Sequence, residues 1–315
     1  NGAQADKSIS QSFSQRKTNS LYGTLGVNYD AWMFIDATFR NDWSSTLSKE
    51  NRSFFYPSVN ASVLVSELVN KNFGGMPEWF NYAKARVSFA QVGNDLAPYQ
   101  LLNTYSSGSD GNVGTSTAWS GGTLFSSDVR SELISSWEAG AEIRFFNNRL
   151  GLDFTWYKSN ATRQLLSLPM NSLSGYSRYM ANAGNIQNTG LEIMLNATPV
   201  QTKDFSWDTQ LNFSKNNNKI IELANGIEQY QLGGYDNLQI VAQVGGNYGE
   251  IWGTTFLRVE DENSPYYGKL LLTSDGLPQG KSDKVKIGDQ QADFLLGWTN
   301  TLTYKNFVLS FLIDG

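Results

Sequence analysis

The stretch from Ser136 to Phe213 restricts the possible folds of this chain more than any other. Two hairpins in a row, SWEAGAEIRFFNNRLGLDFTWYK and NTGLEIMLNATPVQTKDFSWDTQLNFS, alternate apolar and polar residues almost without a break. Successive side chains on a strand point to opposite faces, so this period of two builds ribbons with one apolar and one polar face. In the first strand Trp137, Ala139, Ala141, Ile143 and Phe145 share one face, and Glu138, Gly140, Glu142 and Arg144 share the other. The runs Trp137–Phe146, Leu150–Tyr157, Leu191–Ala197 and Phe205–Phe213 exceed the roughly 5 to 6 residues of an ordinary strand. With flanking residues they reach about 9 to 13, enough at a ~40° tilt to cross the ~25 Å apolar band of an outer-membrane barrel. A soluble β-sandwich shows the same alternation but needs a second sheet over its apolar row.

Composition narrows the function. The chain has 315 residues, a formal net charge of -5 and 17% charged residues, fewer than the roughly 25% of soluble domains. Nucleic acid is excluded as a partner, because phosphate binding needs clustered Lys and Arg, and no such cluster is present. The absence of Cys removes disulfide and thiolate chemistry, and the absence of His argues against Ser-His and Asp-His hydrolases. No apolar run approaches the ~18 residues of a membrane helix, a test that strands escape.

Taken in order, the chain reads as nine to eleven strands. Hairpins are expected around Asp30, around Asn147 to Arg149, from Pro199 to Asp204 and around Lys305. A helical turn is expected within residues 67–80. Long loops are expected over 94–135, over 160–186 and from Lys215 to Gly249. Residues 250–293 read either as two further spanning strands or as one hairpin inside a large loop. Short turns alternating with long loops are the habit of outer-membrane barrels, and Tyr29, Trp43, Trp137, Phe145, Trp156 and Phe205 fall where interfacial aromatic girdles belong. The chain opens NGAQADKS, with no basic start and apolar core, so any export signal is expected to be missing or already removed, and it stops at SFLIDG directly after a strand. Open strand edges in lipid leave backbone groups unpaired, so partner strands are expected outside this sequence.

The stretches YGTLGVNYDAWMFIDATFRNDWSSTL, FFYPSVNASV, KARVSFAQVGND, LSGYSRYMANAGNIQNTGLEIMLNATPVQTKDFSWDTQLNFSKNNNKIIEL and ADFLLGWTNTLTYKNFVLSFLIDG carry a resemblance, in that order and over most of the chain. Together they resemble the SusC/RagA family of TonB-dependent outer-membrane transporters of Bacteroidetes. The resemblance implies an all-β fold in which residues 1–315 are the middle to C-terminal part of an antiparallel 22-stranded transmembrane barrel, with long extracellular loops and short periplasmic turns. It implies a plug and final strands outside this sequence, energy from the TonB complex through that plug, and a SusD-like surface lipoprotein as lid. It also implies outer-membrane lipid around the barrel of a Gram-negative bacterium, an oligosaccharide or peptide as substrate, and a dimer of transporter–lid pairs. Neither enzyme activity nor a cofactor is implied. The alternatives are a passive outer-membrane barrel and a soluble glycan-binding β-sandwich.

The loop aromatics Tyr105, Trp119, Tyr176, Tyr179, Tyr230 and Tyr235 are the candidate ligand contacts, expected to stack on sugar rings or peptide side chains or to pack against the lid. The carboxylates Glu138, Glu142, Asp153 and Glu192 line the polar row. Glu138 and Glu142 are ~13 Å apart along one strand, beyond the ~5 to 9.5 Å of paired glycosidase carboxylates, so they read as hydrated wall with Arg144 as partner. NAGNIQNTG, residues 182–190, reads as a turn-to-strand passage whose glycines permit positive φ. The acidic segments at 107–114, 261–264 and 273–276 lack the full spacing of a calcium loop and read as polar turns.

Overall fold

A computed structural model describes residues 11–109, 116–120, 122–224 and 226–315; the side chains at 106, 107, 109, 116–120 and 172 lie outside that description. In chain order the strands are β1 Thr18–Tyr29, β2 Met33–Ser44, β3 Ser53–Leu64, β4 Phe80–Asn94, β5 Tyr105–Ser109, β6 Ser116–Ser120, β7 Thr123–Phe125, β8 Glu132–Phe145 and β9 Leu150–Pro169. They continue as β10 Arg178–Gln201, β11 Phe205–Glu222, β12 Gln229–Tyr235, β13 Leu238–Gln243, β14 Tyr248–Phe256, β15 Gly280–Asp289, β16 Leu295–Tyr304 and β17 Phe307–Asp314. One α-helix, α1, spans Val65–Asn72, the place where a helical turn was expected.

Ten strands form one antiparallel wall in the order β1-β2-β3-β4-β8-β9-β10-β11-β16-β17, with β7 added in parallel to the tip of β10. The expected hairpins are present: β1 and β2 turn through Asp30 and Ala31, β8 and β9 through Phe146 to Asn148, all five residues at positive φ. Cross-strand register keeps the two faces separate over the whole wall. Ala85, Ala141 and Phe154 are neighbours on the apolar face, and Arg86, Gly140 and Thr155 on the polar face.

Among the described residues no second layer covers the apolar face. Leu25, Val87, Trp137 and Leu309 stand exposed on it, Ile143, Leu152 and Ile193 are half-buried, and the buried apolar clusters are two small ones at the long-loop end. The accessible surface is 21439 Å², against about 13,000 Å² for a compact monomer of 35.0 kDa. Both findings rule out the sandwich alternative, because a sandwich buries its apolar rows against each other. Two indoles on the apolar face hydrogen-bond to polar side chains of the same face. Asn300 is buried and accepts a hydrogen bond from Trp207 Nε1 at 3.0 Å, and Trp298 Nε1 donates to Thr209 Oγ1 at 2.8 Å.

Two expectations need correction, and one alternative is decided. The expected loop over 160–186 is mostly strand, since β9 has 20 residues and β10 has 24. The stretch from Lys215 continues β11 to Glu222 before any loop begins. Residues 250–293 follow the second of their two expected readings: β14 and β15 pair as a hairpin inside the connection between β11 and β16, where they belong to a separate four-stranded sheet, β12-β13-β14-β15. The physical reason is shared. Beyond the rim both faces of a strand are wet, so no apolar–polar alternation is required there to hold it.

Candidate functional site

The polar face is the concave one. A cavity of about 740 Å³ is lined by Arg86 of β4 and Asp314 of β17, strands six places apart in the sheet order. This concave face is the lumen wall, and its side chains lie flat. Arg86 crosses Gly140 of β8 to reach β9, where Nη2 and Nη1 donate to Asp153 Oδ1 and Oδ2 at 2.7 and 3.1 Å, and Nη2 donates to Thr155 Oγ1 at 2.6 Å. A Cβ on Gly140 would stand 2.7 Å from the Arg86 side chain, so glycine is what allows the crossing. Two strands along, Tyr157 lies over Gly190 and donates its hydroxyl to Asn216 Oδ1 at 3.1 Å. Arg144 donates to Glu142 Oε1 at 2.6 Å and sits 5.0 Å from the Tyr82 ring centre, the partnership expected from sequence.

Sequence reading missed Arg86, the most connected of these groups. It named Asp153 without the partner, because Arg86 and Asp153 lie two strands apart and only register brings them together. The pair is about a quarter to a third exposed, so solvent screening keeps its contribution below that of a buried ion pair. Arg86→Met is expected to cost about 1–2 kcal/mol, read as a lowered urea midpoint of the folded barrel in detergent, while Arg144→Met should shift it less.

All six candidate aromatics lie at the long-loop end. Tyr179 is half-buried in β10 between Leu168 of β9 and Leu124 of β7, and Tyr176 is half-buried in the preceding turn. Tyr230 of β12 packs against Ile220, Leu223 and Ala242. A groove of about 640 Å³ separates these two groups, with Ser167 and Arg178 on one side and Glu228, Tyr230 and Gln231 on the other. Tyr105 in β5 and Tyr235 at the β12–β13 turn are apart from that groove and strongly exposed. Trp119 belongs to β6, and its side chain lies outside the described residues. In NAGNIQNTG, Asn182 accepts from Arg130 N and donates to the carbonyls of Arg130 and Arg163. Gly184 has the expected positive φ, but Gly190 does not; it is glycine because a Cβ would meet Lys215 O at 2.5 Å. Among the described residues no group of three or more carboxylates is placed to hold a metal ion.

The appended sheet docks on the wall through backbone and charge. Gly245 N donates to Ile220 O, Ile220 N to Gly246 O, and Tyr248 N to Asn218 Oδ1, each at 2.8 Å. The turn that makes these bonds is held by Glu250, which accepts from Lys286 Nζ at 2.8 Å, Trp252 Nε1 at 2.9 Å and Asn247 N at 3.2 Å. Burial works to raise the Glu250 pKa, yet these three donors outweigh it and hold the carboxyl below its ordinary value. Asp289 is likewise lowered, its burial outweighed by bonds from Gln291 N, Asn247 and Lys286, while its bond to Glu250 raises Lys286. Depressed carboxylates stabilise above their unfolded values near ~4 and lose that contribution as pH falls through the lower folded values; raised Lys286 loses its own only above ~10.4. Amide exchange in β14, taken relative to the intrinsic rate at each pH, should therefore hold steady between about pH 6 and 8 and rise severalfold below about pH 4. Glu250→Gln should show the fast exchange already at neutral pH.

A model of the TonB dependent receptor-like β-barrel matches residues 1–311. TonB-dependent receptor P3 of Formosa agariphila is 28% identical over 94% of this chain and 31% of its own length. TonB-dependent receptor SusC of Bacteroides thetaiotaomicron is 27% identical over 93% of this chain and 30% of its own. The solved RagAB peptide transporter superposes with a TM-score of 0.77 at 22% identity, covering 95% of this chain and 33% of that one. The chain thus spans about a third of the relatives it matches.

Proposed function

The chain belongs to the TonB-dependent receptor β-barrel family of the outer membrane, and on that premise we propose that it walls an active importer of glycan fragments or peptides. The importer would work with a SusD-like lipoprotein lid and draw energy through TonB. It carries out no covalent chemistry; its wall separates lipid from a hydrated lumen, and its long-loop rim selects what enters. The observation that carries this reading is the pairing of an uncovered apolar face with a lumen face of flat-lying, hydrogen-bonded polar side chains. That arrangement keeps the bore open while leaving its charged groups paired or facing the hydrated side. SusC is a TonB-dependent receptor and RagAB a peptide transporter by name, and both support the class of protein proposed.

The candidate contacts are the rim aromatics Tyr105, Trp119, Tyr176, Tyr179, Tyr230 and Tyr235, with the groove between Arg178 and Tyr230 as their centre. Aromatic rings give large contact area on sugars and peptides at small entropic loss. Trp119→Ala and Tyr179→Ala in the full-length protein are expected to weaken substrate or lid binding about tenfold each, a loss of ~1.4 kcal/mol. Unchanged affinity in both variants, measured by calorimetry against oligosaccharide and peptide pools, would remove this assignment. Uptake that persists without TonB would replace active import with passive passage.

A further inference from the structure

An arginine held at positive φ inside a strand needs a reason. Among the described residues, the other non-glycine positions with positive φ lie in the β1–β2, β8–β9 and β16–β17 turns or, for Tyr99, in the loop after β4. Arg163 alone lies within a strand, β9, at φ 58°. Glycine adopts that conformation freely and arginine does not, so a strained residue of this kind points to a use for its side chain. The use is not internal. The backbone carbonyl of Arg163 is bonded, but its guanidinium has no hydrogen-bond or ion-pair partner among the described residues.

Asn182 of β10 brings Arg163 together with a second arginine. Its Oδ1 accepts from Arg130 N at 2.6 Å, and its Nδ2 donates to Arg130 O at 3.0 Å and to Arg163 O at 2.7 Å. One side-chain amide thus clamps the backbones of two arginines far apart in sequence and leaves both guanidinia free. Val129, beside Arg130, is fully buried against Leu47 and Leu96, which anchors that arm from below. Both arginines line one cavity of about 420 Å³. It lies at the long-loop end, where β3 and β4 part: their pairing stops at Ser58 and Ala90, although the strands reach Ser53 and Asn94.

The charges around this cavity leave its cations unsatisfied. Glu50 is the only carboxylate among the lining residues, and it pairs with neither arginine. Arg130 Nη2 comes no nearer than 3.5 Å to Asp128 Oδ2, beyond an ordinary N–H···O distance, and Asp128 Oδ1 already accepts from Asn51. The Arg130 side chain is 54% exposed, so a solute can reach it. Each guanidinium offers five N–H donors in a planar fork that matches the oxygens of an oxyanion. Two forks arriving from different strands suit a group with three terminal oxygens better than a carboxylate with two.

We propose that Arg130 and Arg163, positioned by Asn182, form a binding site for a sulfate or phosphate ester. The ester is carried either by a soluble sugar at the rim or by the lipid A of the surrounding leaflet, and the site does not depend on whether the barrel imports.

The test titrates the full-length protein in detergent, at low ionic strength, with a sulfated trisaccharide and its desulfated form, and with lipid A and its dephosphorylated form. The wild type is expected to bind the ester-bearing member of at least one pair tenfold or more tightly, and the responding pair identifies the source. Arg163→Gly should abolish that preference while its melting temperature stays unchanged or rises, because glycine suits the backbone there. Arg130→Gln, which leaves the bonds from Asn182 to the backbone intact, should abolish it too. The proposal is overturned if the wild type shows no preference in either pair, or if either variant keeps the preference. A lower melting temperature in Arg163→Gly would also overturn it, since the side chain would then be a structural one.

Discussion

Gly190→Val is expected to destabilise the barrel by about 2–4 kcal/mol. The Cβ would stand 2.5 Å from Lys215 O and 2.6 Å from the Tyr157 ring. The carbonyl belongs to β11, so it can retreat only by opening the β10–β11 ladder at the Gly190–Asn216 pair. The ring can swing away only by giving up the bond from Tyr157 Oη to Asn216 at 3.1 Å. Overpacking of this kind typically costs about 1–3 kcal/mol and the lost hydrogen bond ~1 more. The readout is the temperature at which unheated protein loses its fast gel mobility. Gly233→Ala, where nothing lies within 4 Å of the added Cβ, is the control and should leave that temperature unchanged. Equal behaviour of the two variants would mean that the flat-lying ring is not held as described.

The second large effect separates the two faces of the wall. Ala141 lies midway between Trp137 and Phe145 on the lipid row, and Ser88 lies on the lumen row opposite Glu138. Ala141→Arg places a guanidinium near the middle of the apolar band, a change worth about 2–4 kcal/mol of destabilisation. Ser88→Arg places the same group in water beside a carboxylate and should be close to neutral. Urea unfolding of both variants in the same lipid vesicles measures the difference directly. If the two midpoints moved together, the apolar row would not be in lipid.

Legibility of the fold followed the environment of each strand. Between the aromatic rows one face meets lipid and the other water, so β8 and the lower halves of β9, β10 and β11 announce themselves by strict alternation. Above the rim that constraint vanishes. Asn160 to Leu166 reads NATRQLL, without a period of two, although it is paired residue for residue with β10 except at Arg163 and Gly184. The appended sheet was obscure for the same reason, its strands held by local turns and by the Glu250 cluster. Candidate aromatics could be named from composition, but only the fold shows that Tyr230 borders a groove opposite Arg178, the neighbour of Tyr179, while Tyr235 stands exposed apart from it. The Arg86–Asp153 link needed register between three strands, which no single-strand pattern contains.

The paired extensions of β9 and β10 turn the rim into a lever. From Trp156 to Pro169 the arm rises about 43 Å along its own axis, laddered to its partner on both sides of a single break, so it is stiff everywhere except there. The ladder is interrupted where Arg163 and Gly184 face each other, both at positive φ. Arg163 is held there at a conformational penalty of roughly 1–2 kcal/mol, with its carbonyl clamped by Asn182. The bend point of the arm is therefore built into its backbone, at the one place where β9 and β10 leave their ladder unpaired.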